Sequence, residues 1–271
     1  MITVTGATGN IGRVLVEILS SSGQDVRAVS RSGPHPADLG DPASLKDAFA
    51  GADSLFLLLA GEQLVTGPDP RDVLSLAAAA GVKRTVLLSS QAAGTRPDFG
   101  SHERLRQYET AVRESGLDWT VLRPGGFTTN TFAWAESVRT HRAVYAPFGD
   151  VALPLIDPAD IAAVAAAALQ EDGHTGRTYE LTGPAPVTPR EQAAAIAGAL
   201  SEPVTFHELT PAAARETLLG FMPPEVADGT LAILGSPTAR EARVSPDVET
   251  VLGRPGRSFA EWAAANGGVF R

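Results

Sequence analysis

Three glycines spaced three apart, Gly6, Gly9 and Gly12, stand in Val4-Thr5-Gly6-Ala7-Thr8-Gly9-Asn10-Ile11-Gly12-Arg13, between a short β-rich run and a helical pattern. Each glycine serves a different purpose. Gly6 permits a tight turn, Gly9 lets backbone N–H groups approach a pyrophosphate, and Gly12 lets the helix pack close to the sheet. Phosphates would rest on the free N–H groups and positive end of that helix. Gly6, Thr8, Gly9, Asn10 and Ile11 are therefore the expected phosphate contacts. A glycine triplet alone is weak evidence, because tight turns use glycine for plain geometry; the strand–turn–helix context gives it weight. The second β-rich run closes on Ser30-Arg31. An NAD site places Asp or Glu there to accept from the ribose 2′-hydroxyl, whereas a guanidinium suits a 2′-phosphate. Arg31 thus points to NADP(H), the plain alternative being a solvated surface arginine.

Such a turn needs a sheet behind it, and the first 125 residues supply the pattern. Strands are expected at Ile2–Thr5, Val26–Ser30, Ser54–Leu59, Thr85–Ser89 and Trp119–Leu122. Between them run helical patterns at Ile11–Ser22, Ala43–Ala50, Asp69–Ala80 and within Ser101–Ser115. This alternation predicts βαβ units, an α/β fold of Rossmann type with a doubly wound parallel sheet. Asp157-Pro158-Ala159-Asp160 reads as a helix start, opening an almost wholly apolar helix through Leu169, with a further strand at Thr178–Thr182. Residues 125–154 are irregular, with a helix expected at Thr131–Thr140. Thr188…Glu191 and Ser258…Glu261 match the capping box. The expected division is a cofactor-binding domain over 1–183, with 126–156 contributing to a substrate cleft, and a smaller, mainly helical substrate lobe over 184–271.

Composition narrows the functional classes. Thirty-one acids against 22 bases give a net charge of −9, with no run of Lys or Arg, which argues against nucleic acid. The absence of cysteine excludes disulfides, thiolate nucleophiles and thiolate metal sites. The five histidines, at 35, 102, 141, 174 and 207, have no paired ligand spacing, so no metal is expected. Apolar runs fall far short of the roughly 20 residues that span a bilayer, and the start lacks a signal-peptide pattern. The expectation is a cytoplasmic protein, monomer or homodimer, acting on a small molecule.

Several segments together resemble the NmrA-like branch of atypical short-chain dehydrogenases/reductases. They are the glycine turn, Asp38-Leu39 with Asp41-Pro42-Ala43-Ser44-Leu45, and Gly51-Ala52-Asp53-Ser54-Leu55-Phe56-Leu57-Leu58. Gly81-Val82-Lys83-Arg84 running to Ser89-Ser90, Ser115-Gly116-Leu117-Asp118 running to Arg123-Pro124, and Val251-Leu252-Gly253-Arg254-Pro255 with Phe259-Ala260-Glu261-Trp262 continue the likeness over nearly the whole chain. The resemblance implies that Asp38 and Leu39 contact the adenine and that Leu58, Leu59 and Ala60 line the nicotinamide ribose. It further implies that Ser89 and Ser90 lie under the nicotinamide ring, and that Pro124 to Phe127 close over it.

One pattern of the wider group is missing. Ordinary short-chain dehydrogenases use a Tyr-x-x-x-Lys helix, the tyrosine as general acid and the lysine lowering its pKa. Aligning Glu109 with the acid common downstream on that helix puts Ser101 and Leu105 at those positions, and Tyr108 is followed four residues later by Val112. Two residues are candidates for catalysis. His102 could donate a proton near neutral pH or be an exposed first-turn residue. Gln91 could hydrogen-bond a substrate carbonyl or simply finish a loop. Phe127, Asn130, Phe132 and Trp134 could wall an apolar pocket or fill the core. The reading that follows is an NADP(H)-dependent oxidoreductase acting on a quinone, enone or imine. A cofactor-binding sensor is the alternative, and an epimerase or isomerase a third.

Overall fold

The structure, a computed structural model, describes residues 1–271. The chain divides into two compact units. One comprises Met1–Pro124, Pro158–Leu181 and Thr250–Gly253; the other comprises Gly125–Asp157, Thr182–Glu249 and Arg254–Arg271. They interleave along the sequence, so segment 125–157 groups with the later residues instead of the strands that flank it.

The first unit holds a seven-stranded parallel sheet. Its strands are β1 (Ile2–Thr5), β2 (Val26–Ser30), β3 (His35–Pro36), β4 (Ser54–Leu58), β5 (Arg84–Leu88), β6 (Asp118–Pro124) and β8 (Arg177–Leu181), in the spatial order β3-β2-β1-β4-β5-β6-β8. The strands β1, β4 and β5 are almost continuously buried, as parallel strands covered on both faces must be. Register brings their carboxyl ends to one edge. Ile2 pairs with Val26 and Ser54, Ser54 with Arg84, and Arg84 with Asp118. The connecting helices are α1 (Gly12–Ser21), α2 (Pro42–Phe49), α3 (Pro70–Ala79), the short α4 (Gln91–Thr95), α5 (Glu103–Glu114) and α7 (Pro158–Gln170). The Ala-rich α7 is buried along nearly its whole length and packs on α1.

At the opposite edge of the sheet, arginines tie helix ends down. The Arg27 Nη1 donates to the carbonyls of Asp47, Ala48 and Ala50 at 2.9, 3.2 and 2.7 Å. Arg84 donates to the carbonyls of Leu169 and Glu171 and to the Asp172 carboxylate. These carbonyls end α2 and α7, where cations complement both the free acceptors and the helix dipole.

In the second unit a 3₁₀ run, Thr128–Trp134, leads into α6 (Ala135–His141), so the single helix expected at 131–140 is two elements. A two-stranded parallel sheet pairs β7 (Ala143–Ala146) with β9 (Thr205–Glu208). The helices α8 (Pro189–Leu200), α9 (Pro211–Leu219), α10 (Pro224–Gly235) and α12 (Phe259–Asn266) follow, and α11 (Asp247–Leu252) runs across the division of the chain. Both capping boxes form: the Thr188 hydroxyl accepts from the Glu191 N–H, and the Ser258 hydroxyl from that of Glu261. Trp262 is the core of this unit, with ring centroids 5.2 Å from Phe132 and 5.3 Å from Phe259. Phe132 also meets Phe270, and Trp134 packs against the same cluster. These two aromatics, each half-buried, therefore pack on the core of this unit.

Trp262→Ala should cost about 3–5 kcal/mol of unfolding free energy, the usual range for removing a buried large aromatic. Urea denaturation measures it. A loss under about 1 kcal/mol, the level of a surface substitution, would show that the cluster is loosely packed.

Candidate active site

The turn after β1 is built by close contacts. Gly6 has φ +63°, and a side chain there would run into Leu58. Gly12 lies against the turn's backbone, where a Cβ would come within 2.2 Å of the Gly6 carbonyl oxygen. From below, the Thr5 hydroxyl accepts from the Leu58 N–H at 2.9 Å and donates to the Phe56 carbonyl at 3.1 Å, joining the ends of β1 and β4. Leu58 thus supports the turn, and Leu59 is buried in the core while Ala60 is exposed.

The first helix is left uncapped. Side chains of Asp41, Asp69, Thr188, Thr210 and Ser258 cap α2, α3, α8, α9 and α12. At α1 the cap position is Ile11, which has no side-chain acceptor. Thr8, Gly9 and Asn10 are exposed, and the N–H groups of Thr8, Asn10 and Ile11 have no backbone acceptor. A Cβ on Gly9 would touch only the Gly6 carbonyl oxygen, at 3.4 Å, so the space over the turn is open. An anion is the group that completes such a helix terminus.

At the end of β2 the Ser30 Oγ is buried without a hydrogen-bond partner. Beside it Arg31 is exposed and makes no ion pair within the chain, unlike Arg27, Arg84, Arg113 and Arg123, which are engaged by carbonyls or carboxylates. An orphaned hydroxyl next to an unpaired guanidinium fits a phosphate ester. Next along the edge, Asp38 accepts from the Gly40 N–H at 2.7 Å and from the Gln63 amide, and Leu39 is buried in the core. The Gln63 contact ties the loop after β3 to the loop after β4.

A buried ionic network follows at the ends of β5 and β6. The Glu109 carboxylate, on α5, accepts from the Ser89 hydroxyl at 2.6 Å, from Arg123 Nε and Nη2 at 2.8 and 2.6 Å, and from Arg113 at 3.0 Å. Burial opposes ionisation of Glu109, but the hydrogen bonds from Arg123 and Ser89 and the Arg123 charge together hold its pKa below the ordinary carboxylate range. Glu109 in turn raises the pKa of Arg123. Ser90 caps α4, its hydroxyl accepting from the Ala92 N–H, and Gln91 is buried in that helix's first turn.

Leu105 lies in the hydrophobic core, and the Ser101 hydroxyl is 3.1 Å from His102 Nδ1. Pro124 ends β6 in the first unit. Phe127 belongs to the second unit, half-buried and bridged to Ile156. The first unit also has a cavity of about 520 Å³ lined by Asp69, Arg71, Glu103, Arg104 and Gln107 among others. Arg106 pairs with Glu103, Arg71 with Glu114, and Arg104 donates to the Gln107 amide oxygen; none of its lining residues belongs to the glycine turn.

A family model described as NAD(P)H-binding matches residues 6–172, well over half of the chain. The chain belongs to the NAD(P)H-binding family. It is an oxidoreductase, and it shares its fold with the transcriptional regulator NmrA, at a TM-score of 0.72 and 20% identity. Over its full length it is 39% identical to the (4-alkanoyl-5-oxo-2,5-dihydrofuran-3-yl)methyl phosphate reductase of Streptomyces griseus, covering 99% of that protein. It is 32% identical to the NAD(P)H azoreductase of Xenophilus azovorans, again over the full chain and 99% of that protein. Among solved structures, the NADPH-dependent quinone oxidoreductase QOR2 of Escherichia coli, complexed with NADPH, superposes with a TM-score of 0.83. The sequence identity there is 29%, over 98% of this chain and 99% of that one.

The clearances around the glycine turn separate binding from folding. Gly9→Val should keep the fold, since its Cβ meets nothing closer than 3.4 Å, yet lose binding of both NADPH and NADH, because the side chain fills the pyrophosphate's approach. Gly12→Ala should instead fail to fold stably, because of the 2.2 Å clash with backbone. Circular dichroism with cofactor titration distinguishes the two; a folded Gly9→Val that still binds NADPH would make the turn structural only. The Glu109 network makes a prediction about pH. A depressed carboxylate adds stability above its unfolded pKa of about 4.3 and loses it as pH falls through the lower folded value. Glu109→Gln, which strands two arginines, should cost about 3–5 kcal/mol near pH 7. The gap to wild type should be constant over roughly pH 6–8 and shrink only below about pH 4.3, as read by urea unfolding at each pH. A gap that changes across the neutral range would show the carboxyl titrating there.

Proposed function

We propose that the chain is an NADPH-dependent reductase of a small conjugated acceptor, an enone before a quinone or imine. The observation that carries the cofactor choice is the orphaned Ser30 hydroxyl beside unpaired Arg31. The uncapped α1 terminus, with Thr8, Gly9 and Asn10 exposed over it, would hold the pyrophosphate. Asp38, Leu39, Leu58, Leu59 and Ala60 would form the adenine and ribose walls, and Ser89, Ser90 and Pro124 the nicotinamide end.

The bound nicotinamide supplies the hydride; the residues around it supply orientation. Ser101 and Leu105 stand where the wider group has its acid and its lysine, and the buried Leu105 cannot act as either. Reduction is then easiest for an acceptor whose charge, once hydride arrives, is delocalised and takes a proton from water or a weak donor. A simple ketone, whose alkoxide needs a strong acid or an oxyanion site, is a poor match. The unsaturated ring lactone in the name of the Streptomyces griseus relative supports an enone. His102, whose Nδ1 meets the Ser101 hydroxyl, is the candidate weak proton donor, and Gln91 would hydrogen-bond the acceptor's carbonyl. The missing acid also favours a second reading, an NADP(H) sensor.

NADPH should bind more tightly than NADH, and Arg31→Ala should weaken NADPH by about 1.5–3 kcal/mol, the value of hydrogen bonds to charged groups, with little change for NADH. Calorimetric titration decides this, and equal binding of the two by wild type would overturn it. NADPH oxidation should then proceed with an unsaturated lactone, a quinone or an imine and fail with a simple ketone. His102→Ala or Gln91→Ala should slow it. Preference for the ketone would overturn the mechanism, and tight NADPH binding with no turnover of any acceptor would favour the sensor.

A further inference from the structure

Ser89 follows β5 at the edge where the nicotinamide end is assigned above. Both of its hydrogen-bond donors are already engaged. The backbone N–H donates to the Leu122 carbonyl at 2.7 Å, and the hydroxyl lies 2.6 Å from Glu109 Oε1 in a buried contact. A hydroxyl has one proton and two lone pairs, and an ionised carboxylate only accepts. Glu109 is kept ionised by Arg123, which grips both of its oxygens, and by Arg113. The direction of the Ser89–Glu109 bond is therefore settled: serine donates. The lock has little slack, because Arg123 is wedged under α4, where a Cβ on Gly94 would come 2.2 Å from its Nη1.

We propose that Glu109 is a positioning residue that takes up the Ser89 proton, so that Ser89 meets the nicotinamide end of the cofactor as an acceptor only. The matching donor is the carboxamide NH₂ of the nicotinamide. Ser89 then discriminates by hydrogen bonding and is not the proton donor of the reaction. The proposal rests on the NADPH reading above.

Cofactor analogues test it by binding alone. In the 3-acetylpyridine analogue of NADPH a methyl group replaces the amide NH₂, removing the donor. In the thionicotinamide analogue the NH₂ remains. Titration calorimetry should show wild type binding NADPH about three- to ten-fold more tightly than the acetylpyridine analogue, the worth of one neutral hydrogen bond. The thionicotinamide analogue should bind close to NADPH. In Ser89→Ala the preference over the acetylpyridine analogue should fall to about one-fold. Glu109→Gln, where its dichroism spectrum is native, should lower it too, since the glutamine amide no longer fixes the hydroxyl's direction. A Ser89→Ala protein that keeps the wild-type preference overturns this proposal alone. A wild type that binds no NADPH overturns the cofactor reading and this proposal with it.

Discussion

Much of the first unit depends on how closely α1 approaches the turn that precedes it. With no side chain at Gly12, the helix sits against the Gly6 carbonyl, nearer than any Cβ permits. That contact sets the helix terminus directly over the end of β1, and the Thr5 hydroxyl fixes the same point to β4. The apolar Ile11 at the cap position then leaves the terminus without an internal acceptor. The helices α2, α3, α8, α9 and α12 satisfy a first-turn N–H with Asp, Ser or Thr; α1, behind its glycine turn, is open to an external anion. A local destabilisation of this kind is how a fold reserves a place for a phosphate.

The second fixture is the Glu109 network. One carboxylate draws together α5, the end of β5 through Ser89, and β6 through Arg123. Its charge is compensated by bidentate geometry and a second arginine, the condition under which a buried ion is tolerable. The hydrophobic core around Leu55, Leu57, Leu87 and Val121 holds the strands together; the ionic network orients what stands at their ends.

Local signals are readable from the sequence, and distant pairings are not. The glycine turn, both capping boxes and the proline start of α7 depend on residues within a few positions of one another, and each appears where its pattern predicts. The strands β1, β4 and β5 are legible because burial on both faces leaves an unbroken apolar run. The two-residue β3 and the polar β9, Thr-Phe-His-Glu, have no such run and are defined only by their partners. Phe132 and Trp134 read equally as pocket or core, because the cluster they pack against, with Trp262 on Phe132, is built largely from residues far along the chain. Glu109 can be aligned from sequence, but nothing local links it to Ser89 or to Arg123, 20 and 14 positions away.

The arginine ties under the sheet carry a consequence for how this scaffold can change. Arg27 and Arg84 clamp the ends of α2 and α7 at the edge remote from the glycine turn, so the foundations are held by bonds that owe nothing to the loops above. Those upper loops, from Ser30 to Asp38 and from Leu59 to Gln63, are joined to one another chiefly through Asp38 and Gln63. Exchanges short of Asp38, whose N–H and carbonyl meet the Ser44 hydroxyl of α2, leave the clamped helix ends in place, as in a workbench whose legs are braced separately from its top. Diversification of what the protein recognises is thereby uncoupled from whether it folds.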